Sequence, residues 1–127
     1  MADKPITLIV DDEMLIRWSL GEKLAQEGFE VFEAESGKEA RQTFANLDHK
    51  PVVVLLDIKL PDADGLQLLK EFKAAKPNCA VIMITAHGTD ETARDAMNDG
   101  AFACFNKPFR LDDVVVSARQ AEASLRT

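Results

Sequence analysis

The sequence predicts an open, parallel α/β sheet of five strands with helices on both faces, in the order 2-1-3-4-5. Five short apolar runs alternate with five stretches of helical periodicity along the 127 residues. Three of those runs are continuous and rich in Val, Ile or Leu, as strands covered on both faces are. The length fits one domain, 1–127, and five β-α units are too few to close an eight-stranded barrel. In such an order the connections reverse between strands 1 and 3, and ligands bind beyond the carboxyl ends of the strands there.

Ile6–Val10 reads as the first strand. Ile16, Leu20 and Leu24 recur four apart as one helix face, which Gly28 ends. Glu30–Ala34 is more polar and suits an edge strand. Ser36 with Glu39 three residues on forms a capping box for a helix whose apolar positions are Ala40, Phe44 and Leu47. Val52–Leu56 is the third strand, followed by a helix carrying Leu66, Leu69 and Phe72 and closed by Pro77. Ala80–Ile84 is the fourth strand. Asp90 is expected to cap the next helix, with Gly100 ending it. Phe102–Phe105 is mixed and suits the other edge. Leu111, Val114, Val115, Ala118 and Leu125 form one stripe on the last helix.

Hydrophobic residues at 46% and charged residues at 29% describe a cored, well-solvated domain rather than a disordered chain. The net charge of −7, from 22 acids against 15 bases, argues against direct contact with nucleic acid or an anionic membrane. No run reaches the roughly 18 apolar residues of a membrane span, and the N-terminal stretch lacks an apolar signal region. Cys79 and Cys104 sit in apolar runs without metal-type spacing, which predicts two buried thiols in a reducing, cytoplasmic setting.

The strand ends carry the chemistry. The first loop opens Asp11-Asp12-Glu13, the third strand runs into Asp57, the fourth into Thr85-Ala86 and the fifth into Asn106-Lys107-Pro108. Converging carboxylates repel, so such a set raises its pKa values or binds a cation. An all-oxygen set suits Mg²⁺. Alone, Asp11-Asp12 also reads as a helix cap with a first-turn acid, Lys107 as a surface lysine and Thr85 as an ordinary strand-end threonine. Asp57 is harder to assign to structure, because a carboxylate after Val-Val-Val-Leu-Leu loses solvation unless paired or metal-bound. The Lys107-Pro108 bond is a candidate cis peptide.

Asp11-Asp12, Asp57 within DIKLPDADG, Thr85-Ala86 and Lys107-Pro108-Phe109, in this order and spacing, resemble the receiver domain of two-component response regulators over essentially the whole chain. The resemblance implies a flavodoxin-like fold and a phosphoacceptor at Asp57. It implies Mg²⁺ (or Mn²⁺) held by Asp12, Asp57 and the backbone carbonyl of Lys59, with Asp11 acting through water. Lys107 would neutralise the phosphoryl charge, Thr85 would bond a phosphoryl oxygen, and Phe105 would be the switch aromatic. The side chains of Lys59 and His87 would tune access of water. The donor would be a sensor histidine kinase, and the output face the fourth helix, fifth strand and fifth helix, where a homodimer is also expected. The chain would be no turnover enzyme, its chemistry limited to Mg²⁺-dependent self-phosphorylation and slow autodephosphorylation. The run TAHGTDETARDAMNDGAFACFNKPF and Ile16-Arg17-Trp18 are similar to receivers of nitrogen-regulator-type, sigma-54-dependent activators, in which AAA+ and helix-turn-helix domains follow; these residues contain no Walker A loop and no basic recognition helix.

Three rivals use related features. An aspartate-nucleophile phosphatase wants a second acid two residues past the nucleophile, where Lys59 stands. A flavin carrier wants hydroxyls and amides in the first loop, where Asp11-Asp12-Glu13 repel phosphate. A pseudo-receiver would bind partners without ever being phosphorylated.

Overall fold

The computed structural model describes residues 4–47, 51–86 and 88–126; His87 lies outside them. The elements are β1 (Ile6–Val10), α1 (Met14–Gln26), β2 (Glu30–Ala34), α2 (Gly37–Asn46), β3 (Val52–Asp57), α3 (Gly65–Ala75), β4 (Cys79–Thr85), α4 (Asp90–Asn98), β5 (Ala103–Asn106) and α5 (Leu111–Leu125). The strands form one parallel sheet in the order β2-β1-β3-β4-β5, as the sequence predicts.

Alternation along the central strands makes two cores. Leu8, Val10, Val54, Leu56, Val81 and Met83 face α2, α3 and α4. Ile9, Val53, Leu55, Ile82 and Ile84 face α1 and α5. β1, β3 and β4 are buried along their whole length, which is why their sequences show no polar alternation. β3 lies between β1 and β4, so the end of this central strand is hydrogen-bonded within the sheet on both sides. Gly28 (φ 97°) and Gly100 (φ 103°) take the left-handed conformation that turns the chain out of α1 and α4.

Some expectations are corrected. β3 and β4 each extend one residue further, to Asp57 and Thr85, and β5 starts at Ala103. Thr89, not Asp90, caps α4: its hydroxyl accepts from Thr92 N at 3.1 Å, and Asp90 becomes a first-turn acid. Ser36 caps α2 by accepting from Glu39 N, but the Glu39 carboxylate returns to Glu35 N rather than to Ser36. Leu111, the first residue of α5, is 36% exposed, and Ala121 takes a place in the core stripe instead. Cys79 is buried, whereas Cys104, on the edge strand, is only half-buried. Among the described residues, no helix is long and apolar enough to cross a membrane.

Candidate functional site

Asp11 leaves β1 with 2% exposure. Its N–H donates to Ala34 O (3.1 Å), and its Oδ1 accepts from Glu13 N (2.8 Å). This short turn serves the start of α1, where Glu13 makes no side-chain cap of its own. Asp12 follows and is exposed. Asp57 ends β3 at 5% exposure, its Oδ1 accepting from Lys59 N at 3.1 Å. Ligand oxygens of Asp11, Asp12 and Asp57 lie within 4.8 Å of one another.

Lys107 leaves β5, its N–H donating to Thr85 O (2.7 Å), and the Lys107–Pro108 peptide is cis. The ammonium points inward. Nζ lies 3.0 Å from Asp11 Oδ2, 3.1 Å from Glu13 Oε1 and 3.3 Å from Asp57 Oδ2. Glu13, in sequence only the third acid of a run, is a member of the site. Asp12, Glu13, Asp57, Lys59, Ala86 and Lys107 line the open cavity of about 270 Å³ at this edge.

The loop after Asp57 is tightly held. Gly65 N donates to Ile58 O (2.6 Å) and Leu60 N to Ala63 O (3.3 Å), closing a small antiparallel bridge between Lys59 and Asp64. The Lys59 carbonyl takes part in neither bond. A Cβ at Gly65 would collide with Asp57 O and Ile58 Cα, so only glycine fits there. Asp62 pins the loop to α2 by accepting from Gly37 N (2.7 Å) and Lys38 N (3.1 Å).

Burial pushes the Asp57 carboxyl upward and the Asp11 charge adds to this; the Lys59 N–H and Lys107 pull against it. Burial alone would lower the Lys107 ammonium, but Asp11, Glu13 and Asp57 outweigh it and the net shift is upward. Lys107 is therefore charged across the neutral range, as counter-ion to a cluster with more acids than bases.

Thr85 is buried at the end of β4 and lines, with Ile58, Lys59, Asp64 and Thr92, a cavity that adjoins the acid site at Lys59; Ala86 lines the acid site itself. Phe105 is a correction. It pairs with Ile84 in register and packs into the core on the α1/α5 face, whereas Thr85, one residue on from Ile84, faces α3 and α4. Phe105 and Thr85 thus lie on opposite faces of the sheet, and no movement of Thr85 vacates space for this ring. Cys104, which packs into the opposite core, and Asn106, paired with Thr85, are the β5 side chains on Thr85's face.

The residues fit a divalent cation. All the donors are oxygens, and Asp11 Oδ2 is buried with no hydrogen bond, its approach to Lys107 being an ion contact without hydrogen-bond geometry. The model of the response regulator receiver domain matches residues 7–119. The chain belongs to this family. Regulatory protein AtoC and the DNA-binding transcriptional regulator NtrC, both of Escherichia coli K12, are 40% and 39% identical over 90% and 91% of this chain. The chain spans 24% of the length of each. Sporulation initiation phosphotransferase F of Bacillus subtilis is 37% identical over 84% of this chain and 85% of its own. The solution structure of the beryllofluoride-activated NtrC4 receiver domain dimer superposes with a TM-score of 0.85 at 32% identity, covering 94% of this chain and 98% of that one. This receiver domain is thus of the kind found in AtoC- and NtrC-type activators, a phosphoacceptor that switches on phosphorylation.

Proposed function

We propose that Asp57 is the phosphoacceptor of this receiver, that Asp12, Asp57 and the Lys59 carbonyl hold Mg²⁺ (or Mn²⁺) with Asp11 reaching it through water, and that Lys107 is the counter-charge for the phosphoryl group. The observation that carries this is the convergence of the Lys107 ammonium on Asp11 and Asp57 at 3.0 and 3.3 Å beside the exposed Asp12. Mg²⁺, when bound, supplies charge neutralisation for the transferring phosphoryl group. One oxygen of the Asp57 carboxylate forms a bond to phosphorus while the P–N bond to a phosphohistidine of a sensor kinase breaks. The histidine nitrogen leaves with that electron pair. The carboxylate is the nucleophile and needs no general base. Its cost of ionisation in a buried, acid-rich place is reduced, though not cancelled, by the Lys59 N–H and by Lys107. Phosphoryl oxygens then replace Asp57 Oδ2 as partners of Lys107.

Signalling runs through Thr85, whose hydroxyl bonds a phosphoryl oxygen and leaves the cavity it shares with Thr92 of α4. The α4-β5-α5 face is reshaped from that side of the sheet. Inverting a 1:99 population takes about 5.5 kcal/mol, within reach of a few charge-assisted bonds at roughly 1.5–3 kcal/mol each. The longer AtoC- and NtrC-like relatives support a transcriptional output through AAA+ and helix-turn-helix domains, and the NtrC4 dimer supports pairing of receivers. The domain works in the cytoplasm and does not itself contact nucleic acid. Incubation with Mg²⁺ and acetyl phosphate, read by intact mass, tests the core of this. One added phosphate is expected, absent with chelator and absent in Asp57→Asn. No gain in the wild type, or the same gain in Asp57→Asn, sinks it, and steady turnover of a phosphomonoester would favour a phosphatase instead.

A further inference from the structure

We propose that Arg17 is a positioning residue for the cation site, fixing from behind the loop the direction in which the Asp11 and Asp12 carboxylates face. The inference rests on the metal-binding role proposed above for those acids.

Arg17 lies near the start of α1. Its side chain is only 12% exposed, although its acidic neighbours Glu33 and Glu35 are 48% and 62% exposed. Surface pairing is the plainer role for such an arginine, and exposed pairs contribute about 0–1 kcal/mol. The distances point elsewhere. Nη1 donates to the main-chain carbonyl of Asp11 at 2.6 Å, while Nε is 3.3 Å from Glu33 and Nη2 is 4.0 Å from Glu35. The shortest contact is to the loop, and the carboxylates hold the far side of the guanidinium.

That bond completes a set. The Asp11 N–H is held by Ala34 O, its Oδ1 by Glu13 N and its carbonyl by Arg17. Oδ2 is left facing Lys107 and the other acids. With its amide and carbonyl both anchored, Asp11 fixes the peptide plane from which Asp12 departs. Asp12 is exposed and, among the described residues, no hydrogen bond steers its carboxylate, so its aim depends on that plane. Magnesium demands near-ideal octahedral geometry, which makes the site sensitive to a rotation of this peptide. Arg17 also adds a positive charge at the Asp11 carbonyl, while Lys107 meets the same residue at Oδ2. Through Glu33 it ties the edge strand β2 to the acid cluster.

The test is Mg²⁺ binding by calorimetry on the wild type, Arg17→Met, Arg17→Lys and Glu33→Gln, with thermal melts and amide spectra alongside. Arg17→Met should weaken Mg²⁺ about 10-fold, the scale on which outer-shell partners act. Its phosphorylation by acetyl phosphate should return toward the wild-type rate at saturating Mg²⁺, and the Asp12 and Glu13 amide resonances should move. Arg17→Lys should recover part of the affinity. Glu33→Gln should lose less than Arg17→Met, and nothing more in the Arg17→Met background. A wild-type dissociation constant in Arg17→Met, whatever its melting temperature, overturns the inference. Should that variant fail to fold, wild-type affinity in both Arg17→Lys and Glu33→Gln overturns it equally. A wild type that binds no Mg²⁺ refutes the metal-binding role itself, and this inference with it.

Discussion

Asp57 and Asp62 belong to one short stretch of chain, and each carboxylate accepts main-chain hydrogen bonds, yet their environments push them in opposite directions. Asp57 is buried beside Asp11, and its carboxyl is raised, burial first and the neighbouring charge after. Asp62 lies in solvent against the first N–H groups of α2; the bonds from Gly37 and Lys38 lower it. Asp62 is an anion placed where a helix start welcomes one. Asp57 is an anion held where its surroundings resist it, an opposition that the proposed cation and phosphoryl group would relieve. A carboxylate's role is read from what surrounds it rather than from its own chemistry.

Replacing the two acids should therefore give opposite signs. Asp57→Asn is expected to abolish phosphoryl incorporation entirely, read by intact mass. Without divalent ions it should also raise stability at pH 7 by roughly 1–3 kcal/mol, the scale of a relieved buried polar group. The sign follows from the raised carboxyl. The folded state holds its proton more tightly than the unfolded chain, so the wild type is favoured below pH 3.8 and loses that advantage as pH rises through the folded value. The gap between variant and wild type should open over that window in urea titrations. Equal stabilities at pH 7 would break the contrast.

Lys107→Met removes the cation shared by Asp11 and Asp57, both nearly buried. A loss of about 3 kcal/mol at neutral pH without metal is expected, as when one partner of a buried pair is deleted. The loss should shrink when Mg²⁺ is added or the pH lowered. Magnesium at a hundred times its dissociation constant should stabilise the wild type by about 2.7 kcal/mol, measured as a shift in the melting curve that chelator reverses. Phe105→Ala should cost about 2 kcal/mol through lost packing, yet leave the phosphorylation-induced shifts of α4 amides intact, since the ring lies on the other face of the sheet. Asp62→Ala should have the smallest effect. A slight fall in melting temperature at pH 7 is expected, fading below pH 3.8 as the lowered carboxyl takes up its proton, with phosphoryl yield unchanged.

Much of this was legible in the sequence because the fold repeats a simple unit. The three buried strands announced themselves as Val- and Leu-rich runs, and Asp57 stood out as an acid where burial is expensive. What stayed hidden depends on three-dimensional placement. Asp62 reads as a turn residue until α2, more than twenty residues earlier, comes to meet it. Glu13 is only the third acid of a run until Lys107 reaches across. Phe105 looked like the switch position by its distance from Lys107. Which face a β5 side chain takes is settled by register against β4, and a one-residue step reverses it. Thr89 and Asp90 are both good caps, and only the backbone angle at 89 decides between them.

β3 is gripped by a strand on either side, and Gly65 lies against the backbone at its end. Asp57 therefore sits at a point the scaffold does not let drift. If it takes the phosphoryl group as proposed, the signal travels only when other parts come to it: the Thr85 hydroxyl, Lys107 and the helices at the rim. On that reading memory belongs to the fixed middle of the domain and motion to its periphery.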